Sequence, residues 1–254
     1  MRPTLCVVVA HPDDESFGFG GTLARYGWQR VHTVVVVATD GAAGQTGGLV
    51  PPERLAERRR RELQDAAFIL GVETLFHWEY PDGALADVPE EEIVPRLVRV
   101  MRAVRPHVVL TFGPEGGGNR HPDHQAISRF TRAAWHHAGE SSVVTPGLAP
   151  WRPPKLFYVT ANPAEPSDVP YRPATARVDI SAALPVKRAA FFAHRTQRGD
   201  RPYYEAYQRA QGPYEWYHEV TCPAPDRPLA DDLFVGLDVR PPEPPVSFLV
   251  EECP

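Results

Sequence analysis

The chain has 254 residues, 43% hydrophobic and 23% charged, which excludes wholesale disorder or a fibrous repeat and fits one large α/β domain. A formal net charge of −5 would repel a phosphate backbone, so nucleic acid is not an expected partner. Cys6, Cys222 and Cys253 are widely spaced and form no C-x-x-C pair, which argues against a disulfide framework or a thiolate metal site and for a reduced, cytoplasmic setting.

In chain order, Thr4 to Ala10 (TLCVVVA) is a near-continuous apolar run rich in β-branched residues, the pattern of a strand buried on both faces. Val31 to Ala38 repeats it, and the apolar spacing from Phe17 to Gln29 predicts a helix between the two. Pro51-Pro52-Glu53 opens a helical pattern that runs to Leu70 and stops at Gly71, where a left-handed cap is expected. Its densest basic run, Arg58 to Arg61, points around most of a helix circumference and is read chiefly as a solvated face. A short strand from Thr74 to His77 follows.

Pro89 to Val104 carries Ile93, Leu97, Val100, Met101 and Val104 at three- and four-residue steps and is an amphipathic helix, with Pro95 expected to move its start a few residues later. His107 to Phe112 is the next buried strand and Asp123 to His137 the next helix. Lys155 to Ala161 reads as a strand, and Leu184 to His194 and Tyr203 to Gln211 as helices. Alternation of strands and helices predicts a Rossmann-like three-layer α/β sandwich with a mostly parallel sheet. The catalytic domain is placed at residues 1–221 and a proline-rich tail at 222–254. No apolar run reaches the roughly twenty residues of a bilayer span, and the stretch before His11 is too short for a signal peptide.

In open α/β sheets ligands bind beyond the carboxyl ends of the strands. Here His11-Pro12-Asp13-Asp14-Glu15, Thr39-Asp40-Gly41, Pro81-Asp82-Gly83 and the loop from Gly113 to His124 all follow strands, so one rim collects the charged and imidazole groups. Asp13 or Asp14 alone could be only a helix N-cap, and His121 or His124 alone only a structural histidine. Adjacent carboxylates directly after a buried strand, however, repel one another unless a cation compensates. Two histidines and a carboxylate with no cysteine nearby suit a catalytic divalent metal; zinc is the default, and ferrous iron uses the same donors.

AHPDDE at Ala10–Glu15 and HPDH at His121–His124, with TDG at Thr39–Gly41, R-x-x-E at Arg59–Glu62 and A-H-x-x-Q at Ala193–Gln197, resemble the LmbE-like, or PIG-L, family of zinc deacetylases. That family includes the N-acetylglucosaminyl-phosphatidylinositol deacetylase and the deacetylases and amidases of mycothiol and bacillithiol metabolism. The resemblance implies His11, Asp14 and His124 as metal ligands and Asp13 as general base. It makes His121 the group that polarises or protonates the reacting amide, Asp123 the acid that orients it, and Arg59 and Asp82 substrate-binding residues. Some amino-sugar deacetylases of the family place a tyrosine two residues before HPDH, where this chain has Asn119.

The implied activity is zinc-dependent removal of an N-acyl group, acetyl above all, from an amino sugar or its conjugate, a small-molecule substrate, with homo-oligomerisation left open. The alternatives are an amidase acting on a thiol-sugar conjugate and a metal-binding member without catalysis, although the latter would be expected to lack Asp13 or His121. A dinucleotide site is excluded because Gly18-Phe19-Gly20 is followed by Leu23 at the third glycine position, and a serine hydrolase because no G-x-S-x-G occurs.

Overall fold

The computed structural model describes residues 2–221 and 228–242. Seven strands form one sheet: β1 (Thr4–Val9), β2 (His32–Thr39), β3 (Thr74–Tyr80), β4 (Val108–Thr111), β5 (Lys155–Thr160), β6 (Ala176–Asp179) and β7 (Tyr214–Glu219), in the order β3-β2-β1-β4-β5-β7-β6. The first five are parallel, with Val9 level with Val37 and Val7 level with Leu110; β7 and β6 run antiparallel at one edge. The valine-rich runs of β1 and β2 are buried on both faces, the environment that their lack of alternation requires.

Six α-helices, α1 (Asp14–Trp28), α2 (Leu55–Leu70), α3 (Glu90–Val104), α4 (Pro122–Ala138), α5 (Leu184–Ala193) and α6 (Arg201–Gln211), complete the described elements apart from short 3-10 turns. α1, α2 and α5 pack together, as do α3 and α4, giving the α/β sandwich expected from the alternation of elements. Gly71 ends α2 in the left-handed conformation at φ 70°. Pro95 does not delay α3, which begins at Glu90: the carbonyl it leaves without a donor is that of Glu91, and both residues lie on the exposed face where water serves instead. The antiparallel strands β6 and β7 have no counterpart among the elements expected from the sequence.

α1 lies unusually close to the sheet's antiparallel edge, because a side chain at Gly21 would come within 2.6 Å of Ile180. The backbone N–H groups of Gly21 and Thr22 donate to Glu215 on β7, whose charge is met by Lys187 of α5 at 2.8 Å. β1 and β4 are neighbours whose outgoing connections diverge, so the sheet's switch point opens between them, above the loops that carry both histidine motifs.

Residues 222–227 and 243–254 of the proline-rich segment lie outside the described residues. Within 228–242, Ala230 bridges to Ala176, Leu233 and Phe234 are fully buried, and the Tyr26 hydroxyl donates to Asp232 at 2.7 Å. The Phe234 ring meets Tyr26 of α1 edge-on at 5.2 Å. Phe234→Ala should therefore lower the unfolding free energy by about 3–5 kcal/mol, the range for deleting a buried phenyl group. Urea denaturation is the measurement, and a change under about 1 kcal/mol would mean that this segment adds nothing to the core.

Candidate metal centre

The turn from β1 into α1 sets the site. Asp14 Oδ2 accepts the His11 backbone N–H at 2.7 Å, closing a tight loop that turns both side chains to the same side. Asp13 occupies the N-cap position of α1 but makes no capping bond; its φ of 125° is a conformation that a residue with a Cβ rarely adopts. Such strain costs on the order of 1–3 kcal/mol and persists only where the surroundings enforce it.

Three donors converge. His11 Nδ1 lies 3.1 Å from His124 Nε2 and 3.4 Å from Asp14 Oδ2, and His124 Nε2 lies 3.2 Å from Asp14 Oδ1. Ligands in a tetrahedron of bonds near 2.0–2.1 Å stand about 3.3 Å apart, so this spacing suits one small divalent ion. The second bonds made by the two imidazoles agree. His124 Nδ1 donates to the Gly116 carbonyl at 3.1 Å, and the Phe112 ring stacks on the imidazole at 3.9 Å, leaving Nε2 to face inward. His11 Nε2 faces Asp82 Oδ1 at 3.1 Å and Asp123 Oδ2 at 3.2 Å, which holds its proton there and frees Nδ1 as a lone-pair donor.

Electrostatics follows the geometry. Burial opposes charge on His11, but hydrogen bonds to Asp123, Asp14 and Asp82 raise its pKa well above the ordinary imidazole range. Burial opposes ionisation of Asp14, Asp82 and Asp123 as well, yet His124 and His11 around the first, and His11 with backbone N–H groups around the others, hold all three below the usual carboxylate range. Asp13 differs. Burial pushes its carboxyl up to about 6, against the pull of Arg59, whose Nη2 donates to Asp13 Oδ2 at 2.6 Å.

One expected contact is corrected, and the other expected residues are placed as follows. The Asp123 carboxylate does not touch His121: fully buried, it accepts the backbone N–H groups of Gly83 at 2.8 Å and Leu85 at 3.0 Å, and faces His11. Its backbone N–H, not its side chain, fixes His121, donating to Nδ1 at 3.1 Å. This follows from helix geometry, since His121 caps α4 and Asp123 stands in its first turn on the inward face. The proton of neutral His121 is thereby placed on Nε2, while burial and then the nearby imidazoles lower its pKa, so no carboxylate contact sustains an imidazolium. Arg59, expected as a substrate ligand, lines the cavity but is 2% exposed, and its guanidinium binds Asp13 and the carbonyls of Pro12 and Gly41. Asp82 lines the cavity as well, its carboxylate held by His11 and the Ala43 N–H.

The cavity measures about 590 Å³ and is lined by the donors with Asn119, His121, Gln197 and Tyr203 among others. Asn119 accepts the His121 N–H through Oδ1 at 3.2 Å. Phe112 and Tyr203, which no motif in the sequence singles out, also line the site, and Glu15, the last residue of AHPDDE with no role assigned from the sequence, stands beside it. R-x-x-E and A-H-x-x-Q acquire a mechanism here: Glu62 accepts both the N–H and the hydroxyl of Thr196, the latter at 2.6 Å, and Gln197 bonds reciprocally with the backbone of Gln45. Gly41, at φ 69°, leaves no room for a side chain, since a Cβ would stand 2.9 Å from Arg59.

Replacing His11, Asp14 or His124 by Ala should each abolish stoichiometric metal in the purified protein, whereas Asn119→Ala should retain it; elemental analysis after dialysis decides, and full metal in all three variants would exclude this ligand set. In metal-free protein the raised pKa of Asp13 has a defined sign. The folded state binds the extra proton between about pH 4, the unfolded value, and about 6, so ionising Asp13 costs stability as pH rises through that window. The stability of Asp13→Asn relative to the unmodified chain should increase from about pH 4 to 6 and then level off. A flat difference in denaturation midpoints would contradict the shift.

Comparison with known proteins identifies the family. The family model described as PIG-L, GlcNAc-PI de-N-acetylase, matches residues 6–135. A 1D-myo-inositol 2-acetamido-2-deoxy-alpha-D-glucopyranoside deacetylase of Saccharomonospora viridis is 35% identical over 75% of this chain and 83% of its own. The protein of the same name from Kineococcus radiotolerans is 33% identical over 75% of this chain and 67% of its own. The crystal structure of a conserved protein from Thermus thermophilus superposes with a TM-score of 0.70 at 32% identity, covering 87% of this chain and 95% of that one. Sequence similarity and fold thus agree, and the chain belongs to the PIG-L family.

Proposed function

We propose that this protein hydrolyses the N-acetyl group of an amino sugar or a small amino-sugar conjugate, with zinc held by His11, Asp14 and His124. The observation that carries the reading is the convergence of those three donors beside a separate carboxylate, Asp13, on a cavity of about 590 Å³ that would accommodate a sugar. The names of the similar proteins support an acetamido sugar as the substrate class. Zinc is assigned from the nitrogen and oxygen donors, which ferrous iron shares.

The chemistry that a divalent metal supplies when bound there is polarisation of the acyl carbonyl and acidification of the attacking water. Asp13 takes the proton as water adds to the carbonyl carbon. A carboxyl near 6 is a stronger base than an ordinary aspartate and is still ionised at neutral pH. Arg59 fixes the Asp13 carboxylate and keeps its charge from being extinguished by burial. His121, with its proton placed on Nε2 by the bond at Nδ1, is disposed to donate to the carbonyl oxygen as negative charge develops there. The C–N bond then breaks, the amine leaves with the proton returned through Asp13, and acetate is released.

Asp13→Ala should preserve bound metal and fold while reducing kcat by roughly a hundredfold or more, the scale of a lost general base. Retention of activity within a few fold would move that role to another residue. The substrate class is tested by incubating zinc-loaded protein with N-acetylated glucosamine glycosides and with thiol-sugar amides and assaying released amine. Turnover confined to the thiol conjugates would replace the deacetylase reading by the amidase one, and no release from any would remove both.

A further inference from the structure

The two reacting motifs leave one pair of buried titratable groups beside the site unused. Glu15 and His194 are each 0% exposed in their side chains and meet through Oε1 and Nε2 at 2.9 Å, joining the start of α1 to the end of α5 across 179 positions of sequence. The carboxylate has two further bonds: Oε1 accepts the Ser16 hydroxyl at 2.5 Å, and Oε2 accepts the backbone N–H of Asp13 at 2.9 Å. That N–H belongs to the residue with φ 125°. His194 has no other side-chain anchor among the described residues, because Nδ1 is buried without a partner. The histidine is in turn seated by the following turn, whose Thr196 is tied to Glu62.

We infer that Glu15 and His194 form a positioning dyad, in which His194 fixes the Glu15 carboxylate so that it clamps the Asp13 backbone in its strained conformation and aims the Asp13 side chain at the reacting water. A buried polar pair is by itself weak in stabilising a fold, and another among the described residues, Lys187 with Glu215, binds the α1 backbone at Gly21 and Thr22 and the Tyr217 hydroxyl rather than the Asp13 turn. The Glu15 pair differs in grasping the strained residue between Pro12 and Asp14, which would otherwise relax to an ordinary conformation. Arg59 restrains the Asp13 carboxylate from one side and the dyad restrains its main chain from the other. This inference rests on the reading of Asp13 as the base only for its catalytic consequence; the clamp itself is a property of the fold.

The test combines amide hydrogen exchange of Asp13, measured by NMR on the zinc-loaded protein, with steady-state kinetics and metal content. His194→Leu should speed exchange at Asp13 by about tenfold or more, the loss expected when a charge-assisted hydrogen bond is released. It should lower kcat by a similar factor while KM and bound metal stay within about twofold of the unmodified protein. His194→Gln, which restores an N–H donor toward Glu15, should recover much of both effects. Lys187→Met serves as the control for general loosening and should leave exchange at Asp13 unchanged. Unaltered exchange in His194→Leu, or equal acceleration in Lys187→Met, would overturn the dyad; if His194→Leu does not fold, Glu15→Met, which removes the acceptor of the Asp13 N–H, carries the same expectation and the same overturning result. Exchange needs no substrate, so failure of the deacetylase reading leaves this measurement intact, and accelerated exchange with undiminished kcat would overturn the catalytic consequence alone.

Discussion

The crowding of carboxylates at the carboxyl ends of the parallel strands is the constraint on which the site depends. Asp13, Asp14, Glu15, Asp82 and Asp123 all gather around the loop of His11, mostly out of reach of bulk water. Left alone they would repel and take up protons. Each is instead given its own donor: Arg59 for Asp13, the imidazoles for Asp14, His194 for Glu15, the Ala43 N–H for Asp82, and the Gly83 and Leu85 N–H groups for Asp123. The loops therefore have little freedom, since moving any one of them strands a buried charge. The donors of His11, Asp14 and His124, set among these carboxylates, suit the divalent ion proposed above.

The arrangement also separates tasks that the sequence places side by side. Asp13, Asp14 and Glu15 are consecutive, yet one faces Arg59, the next the two histidines, and the third the end of α5. The sharp backbone at Asp13 makes this divergence achievable, because an ordinary helical start would set successive side chains about 100° apart and bury none against three separate walls.

Much of this is legible in the sequence. Strands β1, β2 and β4 announce themselves because burial on both faces demands unbroken apolar runs, and the two histidine motifs follow β1 and β4. Other features are hidden for physical reasons. β7 reads YEWYHE, where buried Glu215 occupies a slot that would ordinarily be apolar and exists only to receive α1 and Lys187. β6 is four residues long, too short to display a period. Asp123 stands close to the capping His121 in sequence, but a helix's first turn directs its side chain elsewhere, onto N–H groups after β3 that no local pattern reveals. Arg59 does carry a signal. It shares a helical stripe with Leu55, Glu62, Leu63 and Ala66, all buried, so the period alone distinguishes the inward member of the basic run.

The contact between Glu15 and His194, together with the seating of Leu233 and Phe234 against α1, has a consequence for biosynthesis. The AHPDDE turn precedes most of the chain in synthesis, but its buttress follows 179 residues later and the aromatic cap of α1 later still. Through most of translation the Glu15 carboxylate lacks the imidazole that meets it in the folded protein, and long-range closure of this kind is intrinsically slow. A chain stalled after β5 but before His194 would leave Glu15 without its partner and β5 as an open sheet edge, the kind of surface on which incompletely folded chains aggregate.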